Sequence, residues 1–137
     1  MKIDGEQLRM INALESVSGV GAKDCIIDEK IISFLVPKKD VGKAIGKNAE
    51  NVKKLNNALG KNIEILPHTA EFSGFLKGAM KDVSFVKITI VDGERGKEAL
   101  VSLSPDNRIK LREKGRKLKR IKKIAERNYN IENIRIG

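Results

Sequence analysis

Ile45-Gly46-Lys47-Asn48-Ala49-Glu50-Asn51-Val52-Lys53-Lys54-Leu55 returns in pattern 66 positions later, as Leu111-Arg112-Glu113-Lys114-Gly115-Arg116-Lys117-Leu118-Lys119-Arg120-Ile121. Apolar residues stand at the same three places, and each copy keeps one glycine, Gly46 or Gly115, just before a basic helix. Internal self-similarity decides architecture before any local feature does. Here it predicts two related modules, each with a tight turn leading into a positively charged helix start. In a chain of 137 residues, each module is near the lower size at which a domain folds alone.

The elements around the repeat read in the same order twice. Asp4 with Gln7 is a capping-box pair, and Leu8, Ile11, Leu14 and Val17 form an apolar stripe, so a helix is predicted over 5–16. Two short strands follow, Asp24–Asp28 and Ile31–Val36, joined as a hairpin by polar residues. After Pro37 come a short helix over Lys39–Ile45, the glycine turn, a helix over Glu50–Leu59 ended by Gly60, and a strand over Asn62–Leu66. Pro67-His68-Thr69 reads as a linker. The second pass has a helix face at Phe72, Phe75, Leu76, Ala79 and Met80 and a strand over Val83–Val91. A turn at Asp92–Gly96 and a return strand over Glu98–Leu103 follow. A short helix from Ser104-Pro105-Asp106, a longer one over Arg116–Arg127 and a strand holding Ile134 and Ile136 complete it. The fold class is α+β, each half running helix–strand–strand–helix–turn–helix–strand, over residues 1–67 and 68–137.

Charge points to the partner. Residues 38–54 carry six Lys/Arg against two Asp/Glu, residues 105–127 carry eleven against three, and the whole chain is +10, so the excess lies in the repeated segments. A basic patch on an otherwise balanced chain is the footprint of a polyanion-binding surface. A glycine turn opening a helix exposes backbone N–H groups and the positive end of the macrodipole, both of which attract phosphate. No run of 18 apolar residues spans a membrane, the start lacks the apolar block of a signal peptide, and Cys25 stands alone. A cytoplasmic protein is expected, without cofactor or metal and monomeric.

Chemistry is hard to find. Gly42-Lys43-Ala44-Ile45-Gly46-Lys47-Asn48 has three residues between its glycines and no Ser or Thr after Lys47, so it is not a nucleotide-binding P-loop. His68 is the one histidine and has no partner at ligand spacing, and Cys25 reads as a small core residue. No catalytic constellation is left, and no enzymatic activity is expected.

The phrase Val41-Gly42-Lys43-Ala44-Ile45-Gly46-Lys47-Asn48-Ala49-Glu50-Asn51-Val52-Lys53, set between two helices in this element order, resembles the GxxG region of type II KH domains. With Asp24-Cys25 upstream and a degenerate second copy behind, the chain resembles the archaeal NusA-like proteins, which carry two such domains in tandem. The resemblance implies single-stranded RNA binding and a role in transcription termination or antitermination, with RNA polymerase or the transcription complex as a further partner. A polymerase-binding adaptor and a ribosome-associated or RNA-processing KH protein are the rival readings.

Carried onto this chain, the resemblance implies a first clamp of Gly42, Lys43, Ile45, Gly46, Lys47, Asn48 and Ala49, with Asn51, Val52 and Lys53 lining its helix side. In the second copy it implies phosphate contacts from Lys114, Gly115, Arg116, Lys119 and Arg120. Two departures stand out. Ala49 replaces the second glycine, which suits the loop if that position is not left-handed. The second copy reads Arg112-Glu113-Lys114-Gly115 after a helix expected to be two residues shorter, since Pro105 precedes Arg112 by seven positions where Pro37 precedes Gly46 by nine.

Overall fold

The computed structural model describes residues 2–137, which divide after Thr69 into two compact units. The first begins with α1 (Gly5–Ser18), closed at its start by the capping box: Asp4 Oδ1 accepts from the Gln7 N–H at 2.8 Å, and Gln7 Oε1 accepts from the Asp4 N–H at 3.0 Å. Gln7 Nε2 also donates to the Cys25 carbonyl at 2.6 Å, tying the helix start to the sheet. The buried face is Met10 and Leu14, flanked by Ile11, Ala13 and Val17, whereas Leu8 is 51 % exposed. The expected stripe drifted off the core because successive three-residue steps each fall short of a 3.6-residue turn.

Strands β1 (Asp24–Ile27), β2 (Ile31–Pro37) and β3 (Asn62–His68) form a sheet in that order, β1 antiparallel and β3 parallel to β2. A parallel neighbour requires a crossover, and α2 (Val41–Ile45) and α3 (Glu50–Leu59) supply it. Ile32 to Val36 are buried at consecutive positions, the pattern of a strand covered on both faces. Two of the three residues expected as a linker are part of the sheet: Pro67 pairs with Val36 and His68 with Pro37, and only Thr69 lies outside it. Pro67 is tolerated because β3 is an edge strand, where a missing N–H costs no ladder bond. Cys25, Phe34, Val36, Ala44 and Leu55 join Leu14 in the core under α1. Each fully buried leucine there stabilises the unit by about 2 kcal/mol.

The second unit repeats the topology with α4 (Phe72–Ala79), β4 (Lys87–Gly93), β5 (Gly96–Ser102), α5 (Pro105–Glu113), α6 (Gly115–Tyr129) and β6 (Ile131–Ile136). Its sheet order is β4-β5-β6, antiparallel then parallel. All five residues of the expected α4 face are buried. The strand expected from Val83 starts only at Lys87. Before it the backbone pairs outside the ladder: Val83 N–H donates to the Met80 carbonyl and Ser84 N–H to Asn107 Oδ1, at the start of α5. Helix α6 outruns the expected 116–127 at both ends, and Tyr129 in its last turn stacks on Phe75 with ring centres 5.2 Å apart.

Candidate nucleic-acid interface

Pro37 closes β2, a single 3-10 turn over Lys38–Asp40 follows, and α2 lies against the core through Ala44. The chain then reverses through four residues. Gly46 has φ 81°, ψ 166°; Asn48 has φ 55°, ψ 33°; Ala49 has φ 58°, ψ 28°. A Cβ on Gly46 would stand 2.9 Å from the Asn51 side chain and 3.0 Å from its backbone nitrogen, so both space and dihedral require glycine. Asn51 fixes the turn from the other side, its Nδ2 donating to the Lys43 carbonyl at 3.0 Å and joining the end of α2 to the start of α3. No side chain caps either helical start here, so the amide-rich end of α3 faces outward beside exposed Lys47 and Asn48.

Ala49 lies in the left-handed region, contrary to the condition under which an alanine suits this loop. Asparagine accepts that conformation readily, but alanine pays for its Cβ there. Replacing Ala49 by glycine is expected to stabilise the chain by about 0.5–1 kcal/mol, read as a higher denaturation midpoint, since relief of that clash exceeds glycine's entropic cost.

Next to the turn, α3 and the edge strand β3 enclose an open cleft of about 490 Å³, lined by Val52, Lys53, Asn56, Asn57, Asn62 and Ile63. Val52 and Lys53 stand where they were expected. Asn56, Asn57, Asn62 and Ile63 were not anticipated, although three amides flanking Gly60 were a visible signal of hydrogen-bonding capacity. Asn56 is held by its own amide, which donates to the Lys61 carbonyl at 2.9 Å. Lys43 reaches away from the turn: its Cε and Nζ lie 3.6 Å from where a Cβ on Gly19 would be, near the negative end of α1. Gly42 is exposed on α2 with open space around it, and Ile45 is half-buried. Lys54 pairs with Glu50 at 3.2 Å, whereas Lys47 and Lys53 have no ion-pair partner among the described residues.

The second copy is built differently. Helix α5 spans nine residues against five in α2, so it is not shorter as expected, and it absorbs Arg112 and Glu113 into its last turn. Lys114 alone separates α5 from α6, at φ −97°, and no residue of this junction has positive φ. Lys114 Nζ is bound to Asp82 Oδ2 at 2.8 Å. That hydrogen bond, reinforced by the charges of Lys114 and Lys117, holds the Asp82 carboxyl below its usual range. Gly115 begins α6 with open space where a Cβ would stand, and Arg116 and Lys119 are exposed. Arg120, expected to meet phosphate, is buried at 6 % exposure, because it falls beside the Leu118–Ile121–Ile124 face of the helix. Cys25 is buried and in no disulfide, and among the described residues no helix is long and apolar enough to cross a membrane.

This architecture has known relatives. The KH domain model matches residues 9–97. The probable transcription termination protein NusA of Methanocaldococcus jannaschii is 26 % identical over 137 residues, covering 99 % of this chain and 75 % of that protein. The protein of the same description from Halococcus morrhuae is 23 % identical over 95 % of this chain and 94 % of its own length. Among solved structures, the crystal structure of APE1850 superposes with a TM-score of 0.88 at 29 % identity, over 98 % of this chain and all of that one. With the fold, the glycine turn and the family match in agreement, the chain belongs to the KH-domain family.

Proposed function

We propose that this protein binds single-stranded RNA through its first unit and acts by binding rather than catalysis. In this reading the two units are type II KH modules in tandem, and only the first keeps a working clamp. The observation that carries it is the uncapped start of α3, presented by the Gly46–Ala49 turn beside a cleft edged with Asn56, Asn57 and Asn62. The turn offers backbone donors and Lys47 to phosphate, and the cleft offers amides and the aliphatic Val52 and Ile63 to bases. Recognition of unstacked bases on their edges is how sequence is read in single-stranded RNA.

The similarity to proteins described as probable transcription termination proteins supports a role at termination or antitermination, with the transcription complex as a second partner. Photo-cross-linking to single-stranded RNA, with the adducts mapped by mass spectrometry, tests the reading, and adducts are expected in the turn and the cleft.

A further inference from the structure

The two units diverge at their first edge strand. In the first, β1 has four residues, and the fourteen-residue α1 is tied to it through Gln7 and the Cys25 carbonyl. In the second, β4 has seven residues and α4 only eight, so more strand runs beside less helix. Ile88 and Ile90 stand opposite Val101 and Ala99 in the register, on the face that carries the core. Val101 and Ala99 are buried there, whereas Ile90 is 41 % exposed. Val86 N–H donates to the Ser102 carbonyl just ahead of the strand, and its side chain is 76 % exposed. Alternate residues share a face, so Val86, Ile88 and Ile90 form a β-branched margin on this sheet. Ile88 and Ile90 line an open groove of about 440 Å³ with Phe72, Tyr129 and Ile131, beside the start of α4.

The outer side of β4 pairs with no strand among the described residues, so its backbone N–H and C=O groups face outward next to that groove. Free ladder groups beside pockets for alternate side chains are what strand addition requires. Charge selects the occupant. A net charge of +10 keeps copies of this chain apart and attracts acidic partners. On the strand itself Asp92 stands opposite Lys97, which leaves exposed Lys87, opposite Ser102, as the unbalanced charge. A lysine on an edge discourages uncharged strands, but it accepts a carboxylate. We infer that β4 is a docking edge for an extended, acidic segment of a partner protein. Apolar residues at its alternate positions enter the groove, and carboxylates between them meet Lys87. The inference does not depend on the RNA-binding reading.

The test uses the intact chain and synthetic peptides of seven residues, the length of β4. One alternates valine with glutamate, one alternates valine with lysine, and one has the valine–glutamate composition with its valines contiguous. The first is expected to bind and to slow hydrogen exchange at the β4 amides, and the other two to bind about tenfold more weakly or worse. Val86→Lys and Ile90→Lys should each weaken the first peptide by about tenfold or more, through loss of an apolar contact. Each also adds a positive charge, so non-specific attraction to carboxylates predicts the opposite change. Val86 is largely exposed, so its variant keeps the fold whatever happens at Ile90. Neither substitution should weaken RNA binding. No binding of the valine–glutamate peptide, equal binding of all three, tighter binding in the lysine variants, or displacement of the peptide by oligo(U) overturns the inference. A concentration-dependent dimer that Ile90→Lys disperses assigns the edge to a second copy and overturns it as well.

Discussion

The Lys47→Asp/Asn48→Asp double variant is expected to lose about a hundredfold in affinity for single-stranded RNA at low salt. Both side chains are exposed at the turn, so the substitution changes charge without disturbing packing. Asp tolerates the left-handed region as Asn does, so the backbone at position 48 has no reason to move. The change removes one charge-assisted contact, worth about 1.5–3 kcal/mol, and sets two carboxylates against the phosphate. At 1.4 kcal/mol per tenfold, the combined effect reaches about two orders of magnitude. The thermal midpoint should stay where it is, which separates a lost contact from a lost fold. An affinity within about twofold of the unaltered protein would remove Lys47 and Asn48 from the interface.

Gly46→Ala should produce the second large effect, through structure rather than charge. The added Cβ meets the Asn51 side chain at 2.9 Å and its backbone nitrogen at 3.0 Å, in a conformation that L-residues rarely adopt. Asn51 cannot withdraw freely, because its amide holds the Lys43 carbonyl. A strained backbone of this kind costs about 1–3 kcal/mol, which lowers the midpoint of the intact chain by about 3–10 °C. RNA affinity should fall with it, since the turn that presents the start of α3 has to reshape. Gly42→Ala makes a useful contrast: open space surrounds Gly42, so any effect there reports on the ligand's approach.

Much of the fold was legible because its signals are local. The Asp4–Gln7 capping box, the Phe72–Met80 helix face and the stop at Gly60 each act within a few residues, and the structure places all three as read. What escaped depends on distant partners or on conformations the residue type disfavours. Nothing local announces that Lys114 meets Asp82, or that Arg120 falls on the buried side of α6. Pro67 and His68 read as a linker because proline opposes strands, yet the parallel pairing with Val36 and Pro37 carries them into β3. Ala49 suited the loop only if its position was not left-handed, and the structure puts it at φ 58°, in that region. The cleft needed the fold itself, since β3 brings Asn62 and Ile63 beside α3.

These differences change how the repeat is understood. The two copies share topology, yet the first is a four-residue turn with three positive φ angles and the second a one-residue junction closed by an ion pair. The most direct test of the central claim is the cross-linking map of the intact chain with single-stranded RNA carrying photoreactive uridines. The account predicts adducts concentrated on Lys47–Ala49 and on Val52, Asn56, Asn57 and Ile63, lost when excess unlabelled single strand competes. Adducts absent from both the turn and the cleft, with RNA bound elsewhere on the chain, would contradict it.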